Sequence, residues 1–247
     1  MSSSKLKHCP VCDNNDTDKK VIIEDEQHYT RIHCICCNCA YINTKSSVSL
    51  KYGIEYNQEF VKQREIHKAQ VMSGKLICLV GKKSMKSTIL EVGPGNGWTT
   101  FYLMAAGLNV EAVELNYEQA KLIRNFTGVQ CYHGGFEGMS NRNKYDFIYS
   151  SHLIEHYENP YIFLRKARSL LKDGGVIYID TPDLDCSKGC NQNWHHFRTR
   201  HPLEHLCILS DTALGLAAHK TGLLVGQFER FDAYGSFQAT LHKDRGV

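Results

Sequence analysis

The chain has little net charge: 29 basic against 26 acidic side chains leave +3 over 247 residues. So weak a field is a poor footprint for a polyanion, which disfavours nucleic acid as a partner and suits a small-molecule substrate. Nowhere does the sequence hold the roughly 18 consecutive apolar residues of a membrane span. Residues 1–7 are polar where a secretory signal would carry an apolar run. A cytoplasmic protein with no membrane partner is expected. Internal repeats and low-complexity stretches are also missing. The length allows one α/β domain of ordinary size with a small appendage and is too short for two full enzymatic domains.

Cysteine, by contrast, is abundant: there are eleven, and six fall in the first 39 residues. In a reducing compartment such a cluster reads as a metal site before it reads as disulfides. Cys9-Pro10-Val11-Cys12 and Cys36-Cys37-Asn38-Cys39 form two C-x-x-C knuckles with room for a β-hairpin between them. Four thiolates so spaced suit a structural, tetrahedral zinc held by Cys9, Cys12, Cys36 and Cys39. Cys34 and Cys37 offer a competing second pair. Cys36 and Cys39 are favoured because Ala40 then supplies the small residue that a knuckle turn prefers. Cys186 and Cys190 read as free thiols. This zinc-ribbon module is expected over residues 1–44, with a linker helix region over 45–86 in which Phe60, Val61, Ile66, Val71 and Met72 supply apolar contacts.

From residue 87 to residue 247 apolar runs alternate with helical patterns, as βαβ units around a parallel sheet do. Strands are expected at 88–92, 109–114, 129–133, 146–149 and 176–180, and helices at 99–106, 117–126 and 161–171, the last ended by Gly174-Gly175. Ser210 caps a further helix that Gly222 stops, and a closing antiparallel pair follows.

The first strand ends in Glu91-Val92-Gly93-Pro94-Gly95-Asn96-Gly97 and passes into a helix, which puts backbone N–H groups at the mouth of the sheet. A dinucleotide fingerprint wants G-x-G-x-x-G. Here the third glycine comes one position early and Trp98 takes its place, which disfavours a pyrophosphate. Glu114 ends the next strand, 19 residues beyond Gly95, where a carboxylate can accept from both ribose hydroxyls.

Residues 89–98, Val113-Glu114-Leu115, residues 145–156 and residues 170–183 together resemble the class I S-adenosylmethionine-dependent methyltransferase family. The resemblance implies a Rossmann-like seven-stranded sheet, mostly parallel with an antiparallel last strand, and S-adenosylmethionine as cofactor. It places Glu91 near the methionine amino group, Gly93, Pro94, Gly95 and Gly97 under the methionine and ribose, and Glu114 with Leu115 at the ribose. Ser150 and Ser151 fall in the segment that runs beneath the cofactor. In Gly134-Gly135-Phe136-Glu137 the family often has an acid after the first glycine; this chain has Gly135, so Phe136 and Glu137 are the substitutes at the adenine.

After the fourth strand, His152, Glu155 and His156 have i, i+3, i+4 spacing and share a face if a helical turn begins there. A histidine titrating near neutrality can take a proton from an acceptor, and His156 and His152 are the first candidates. The same spacing suits a divalent metal, and some ubiquinone-pathway O-methyltransferases look similar here. A helix anchor is the plainer alternative. His195, His196 and His205 lie in a long connection, residues 185–209, of the kind that carries substrate chemistry. The segment Glu204-His205-Leu206 resembles one in small-molecule methyltransferases that places a histidine over the cofactor.

The ribbon before the core is similar to that of small-molecule and sugar-nucleotide methyltransferases. The expected activity is methyl transfer to a small polar acceptor, an oxygen of a sugar or sugar nucleotide first and a carbon second. Two alternatives stand beside it: an RNA methyltransferase that docks its substrate through the ribbon, and a non-catalytic module that binds S-adenosylmethionine.

Overall fold

The computed structural model describes residues 8–44, 63–81, 84, 86–140, 144–186, 203–231 and 235–244. In chain order its elements are β1 (Lys20–Asp25), β2 (Tyr29–Cys34), β3 (Cys39–Thr44), α1 (Gln63–Gly81), β4 (Thr88–Val92), α2 (Trp98–Ala105), β5 (Asn109–Glu114) and α3 (Tyr117–Thr127). They continue with β6 (Gln130–His133), β7 (Tyr145–Ser151), α4 (Pro160–Leu170), β8 (Leu171–Pro182), β9 (Cys207–Leu209), α5 (Asp211–Lys220), β10 (Leu223–Phe231) and β11 (Ser236–Lys243). The larger sheet has seven strands in the order β10-β11-β8-β7-β4-β5-β6 and is mostly parallel with an antiparallel last strand. This is the α/β class that alternating strands and helices dictate.

The described residues divide into two compact units, one within 53–151 and 169–178, the other within 1–52, 152–168 and 179–247. The first, the glycine-loop unit, is built on β4, β5, β6 and β7. Helix α1 lays Met72, Leu76 and Val80 against Ile89, Leu103, Leu108, Val110, Phe147, Tyr149 and Val176. Those three are spaced four apart and form one stripe of the helix. Each buried side chain of this size stabilises the fold by about 1.5–3 kcal/mol. Of the contacts expected for this helix, Val71 lies off the stripe and is half exposed, and Phe60 and Val61 lie outside the described residues. Ala112, Ala120, Ile123 and Cys131 seat α3 on β5 and β6. Helix α3 begins where Asn116 accepts from the Gln119 N–H at 3.0 Å and ends at Gly128.

The second, the ribbon unit, carries the antiparallel meander β1-β2-β3, to which β9 adds a fourth strand through Cys39↔Leu209, Ala40↔Ile208 and Tyr41↔Cys207. Ala40, Leu184 and Ile208 form its apolar seam. Arg31 is fully buried, with Nε 3.2 Å from Glu24 Oε2 and Nη1 donating to the His205 carbonyl at 3.3 Å. A buried guanidinium needs such partners, since removing one leaves a charge stranded at a cost of about 3–5 kcal/mol. Helix α5 starts at Ser210, whose hydroxyl accepts from the Ala213 N–H at 3.0 Å. Among the described residues no helix is long and apolar enough to cross a membrane.

Candidate functional site

In the glycine-loop unit, β4 delivers the chain to Gly93, Gly95 and Gly97, all in left-handed backbone with φ of 68°, 57° and 78°. A Cβ at Gly97 would also stand 3.3 Å from Ile123 Cγ1, so only glycine fits both the turn and the seat of α3. Gly97 caps α2 without a side-chain bond. Gln119 Nε2 donates to the Gly95 carbonyl and ties the loop to α3. Trp98 packs edge-on to Phe101 and Phe126, so its indole stiffens the loop-to-helix junction.

Glu91 is buried, and its Oε2 accepts from Thr100 Oγ1 at 2.5 Å. Burial pushes its carboxyl up to about 8, against which the Thr100 hydroxyl pulls only in part. Glu114, at the end of β5, accepts from the Asn116 N–H at 2.9 Å; burial raises its carboxyl, opposed by the Asn116 and Leu115 amides and by His133. Leu115 beside it is half exposed. The Gly134 N–H donates to the Glu114 carbonyl at 2.9 Å and leads into a 3₁₀ turn over Phe136–Gly138, where Phe136 is buried. Glu137 folds back so that its carboxylate fills the space where a side chain at Gly135 would begin. At the end of β7, Ser150 is buried with no hydrogen-bond partner for its hydroxyl among the described residues, and Ser151 follows it half-buried.

The ribbon unit opens with His152, a non-glycine residue at φ 50° whose N–H donates to the Asp180 carbonyl at 2.7 Å. Such backbone costs of the order of 1–3 kcal/mol and persists only where its surroundings hold it. The helical turn expected to align His152 with Glu155 and His156 starts later: a 3₁₀ turn spans Ile154–His156, and His152 reaches Glu155 through its left-handed backbone. His152 Nδ1 lies 3.4 Å from Glu155 Oε1 and its Nε2 3.9 Å from Asp180 Oδ2. His205 Nε2 stands 3.9 Å from the same Glu155 Oε1. The His156 ring meets the His205 ring edge to face at 5.1 Å, and His156 Nδ1 donates to the Glu204 carbonyl at 2.9 Å.

Glu155 is fully buried, with Oε2 accepting from Thr181 Oγ1 at 2.8 Å. Burial alone would raise its carboxyl; the His152 hydrogen bond and the charges on His152, His156 and His205 outweigh burial and hold it at about 2. The carboxylate is therefore ionised and ringed by imidazoles. Asp180 and Thr181 had no role in the sequence reading. The readable signal was a polar pair near the C-terminal end of β8, in a mostly parallel sheet of the kind whose ligands gather at strand ends. His195 and His196 lie outside the described residues.

The cysteines gather differently from the expected set. Cys9, Cys12, Cys34 and Cys37 offer sulfurs that all lie within 4.8 Å of one another. Cys36 is exposed, and Cys39 sits behind the cluster, 3.5 Å from Cys9 and 3.6 Å from Cys37. The reason is the knuckle turn. Asp13 donates to the Cys9 carbonyl and Asn38 to the Cys34 carbonyl, each at 2.9 Å, and these two residues have φ of 63° and 55°. The residue after each second cysteine must be left-handed, which Asp and Asn tolerate and Ala40 does not. The left-handed residues follow Cys12 and Cys37, in Cys9-x-x-Cys12-Asp13 and Cys34-x-x-Cys37-Asn38. Hydrogen bonds from Cys37 and Cys39 hold the Cys9 thiol far below its usual range, while burial pushes Cys12 up to about 11. Negative charge is contested among these sulfurs, as it must be where thiols crowd one point. Tyr161 Oη and Lys220 Nζ both donate to the Val11 carbonyl and fix the first knuckle.

The methyltransferase-domain family matches residues 62–227, more than half of the sequence. A tRNA U34 carboxymethyltransferase of Alteromonas mediterranea is 24% identical over 44% of this chain and 35% of its own, so the chain spans about a third of that relative's length. Among solved structures, the CcbJ methyltransferase of Streptomyces caelestis matches with a TM-score of 0.56 at 17% identity, covering 69% of this chain and 89% of that one. The magnesium protoporphyrin IX methyltransferase of Synechocystis, with bound S-adenosylhomocysteine, matches at 0.58 and 11% identity over 77% of this chain and 89% of that one. The chain belongs to the methyltransferase-domain family, and it shares the fold of these solved methyltransferases.

Proposed function

We propose that this enzyme methylates an oxygen of a small polar acceptor, a sugar or sugar nucleotide, with His152 as the base. The observation that carries the reading is the ring of His152, His156 and His205 around the buried, ionised Glu155. It begins at the residue after Ser151, the last of β7. S-adenosylmethionine supplies a methyl group already activated on sulfonium; what remains for the protein is to align the acceptor and take its proton. Glu155 and Asp180 flank the two ring nitrogens of His152 and stabilise the imidazolium formed when it accepts that proton.

Features of the glycine-loop unit support the cofactor assignment. Among the described residues the buried Glu91 carboxyl has no cation beside it, which suits the cofactor's ammonium group, and the Ser150 hydroxyl has no hydrogen-bond partner. Gly93, Pro94, Gly95 and Gly97 would leave backbone open to the methionine and ribose, Glu114 would accept from the ribose hydroxyls, and Leu115 and Phe136 would lie at the adenine. The folded-back Glu137 supplies the acid that Gly135 lacks. Ser151, beside Ser150 at the end of β7, would line the same site. Cys9, Cys12, Cys34 and Cys37 are the set that would hold a structural zinc, which removes the competition for charge among them.

The test is S-adenosylhomocysteine release from the full chain with sugars, sugar nucleotides and RNAs. Release is expected with a hydroxyl-bearing small acceptor, falling about 10²–10⁴-fold in His152→Ala with cofactor affinity unchanged. Release with RNA alone would transfer the reading to a ribbon-docked RNA methyltransferase. No release with any acceptor, cofactor still binding, would leave a non-catalytic module.

A further inference from the structure

We propose that Glu155, His156 and His205 form a second metal site, for a divalent ion of the zinc class, separate from the four-cysteine cluster. It deepens the methyl-transfer reading, on which its purpose rests: three protein ligands leave coordination open for the acceptor oxygen.

One carboxylate oxygen and one nitrogen from each histidine lie within 4.8 Å of one another. Two imidazoles and a carboxylate are the donors that suit zinc and its neighbours, and three such ligands are the pattern of catalytic rather than structural sites. Each ligand is also held from behind. Thr181 fixes Glu155 Oε2 at 2.8 Å, which leaves the buried Oε1 to face the histidines, 3.4 Å from His152 Nδ1 and 3.9 Å from His205 Nε2. The Glu204 carbonyl can only accept, so His156 donates to it from Nδ1, and this bond holds the orientation of the ring.

His205 is placed by the ribbon. Arg31 of β2 donates to its carbonyl at 3.3 Å, while the next residue, Leu206, donates to the Glu155 carbonyl at 2.7 Å and accepts from the Ile42 N–H at 3.0 Å. The β3–β9 pairing continues that register directly beyond. A histidine far along the sequence is thereby locked beside a glutamate that it does not neighbour in the chain. This outer support is what orients ligands in built metal sites.

Metal content of the full chain separates the two sites. Wild type purified with zinc should hold about two ions per chain, one at each cluster. Glu155→Gln, His205→Ala and the more exposed His156→Ala should each lose one, with circular dichroism unchanged for at least His156→Ala. Cys37→Ser should lose the other. Cobalt added to the chelator-stripped chain should give a thiolate charge-transfer band lost in Cys37→Ser and a separate visible band lost in His156→Ala. One ion in the wild type, or a second retained by both histidine variants, overturns the site. Turnover by a wild type that binds a single ion would overturn this proposal and leave methyl transfer standing. A second ion without turnover on any acceptor would uphold the site and reject the acceptor chemistry.

Discussion

Glu91→Gln isolates a single titration in the glycine-loop unit. The folded chain holds the Glu91 proton up to about pH 8, whereas an unfolded glutamate releases it near 4.5. The folded state therefore binds the extra proton, and stability falls as pH rises through that window, by about 1.4 kcal/mol per unit. The contribution is fully present below 4.5, and its loss is nearly complete above 8. From pH 6 to pH 9 the wild type should lose roughly 2.5 kcal/mol that the variant does not, because glutamine keeps the contact with Thr100 and carries no proton to release. With a urea dependence of about 1–3 kcal/mol per molar, that is a shift of roughly 1 M in the unfolding midpoint. The assay is urea unfolding of cofactor-free wild type and variant at both pH values, comparing differences so that other titrations cancel. Parallel pH dependences in the two proteins would refute the argument, and with it the picture of Glu91 as a neutral buried acid that ionises for a cation.

Cys34→Ser should abolish zinc binding at the ribbon and Cys36→Ser should spare it; metal analysis showing the reverse would restore Cys36 as the ligand. Glu114→Ala should weaken S-adenosylmethionine binding by at least about tenfold, since hydrogen bonds to a charged group are worth about 1.5–3 kcal/mol; unchanged affinity by isothermal titration would remove Glu114 from the ribose. Gly97→Ala should destabilise the fold by about 1–3 kcal/mol, because the φ of 78° and the 3.3 Å approach to Ile123 penalise a Cβ; a neutral result in thermal unfolding would mean the loop rearranges at little cost.

The sequence by itself determined the sheet, the glycine loop and Glu114, because these depend on local rules. Apolar runs of strand length, glycines at a strand-to-helix turn and a carboxylate at a strand end each leave their mark within a few residues. It also placed the cysteine module, but not which of its sulfurs gather. That turned on which residue could stand in left-handed backbone, and the Asn38 that follows Cys37 was the local clue outweighed by Ala40. The tertiary structure alone decided the histidine cluster. Spacing brought out His152, Glu155 and His156, yet their meeting depends on His152 leaving the helical turn and on the short strand β9 pairing with β3, which carries His205 to Glu155. Nothing near residue 205 encodes a partner at residue 155 or at Arg31. Pairings so distant are set by which edges remain unfilled once local elements have formed, and that is a property of the whole fold.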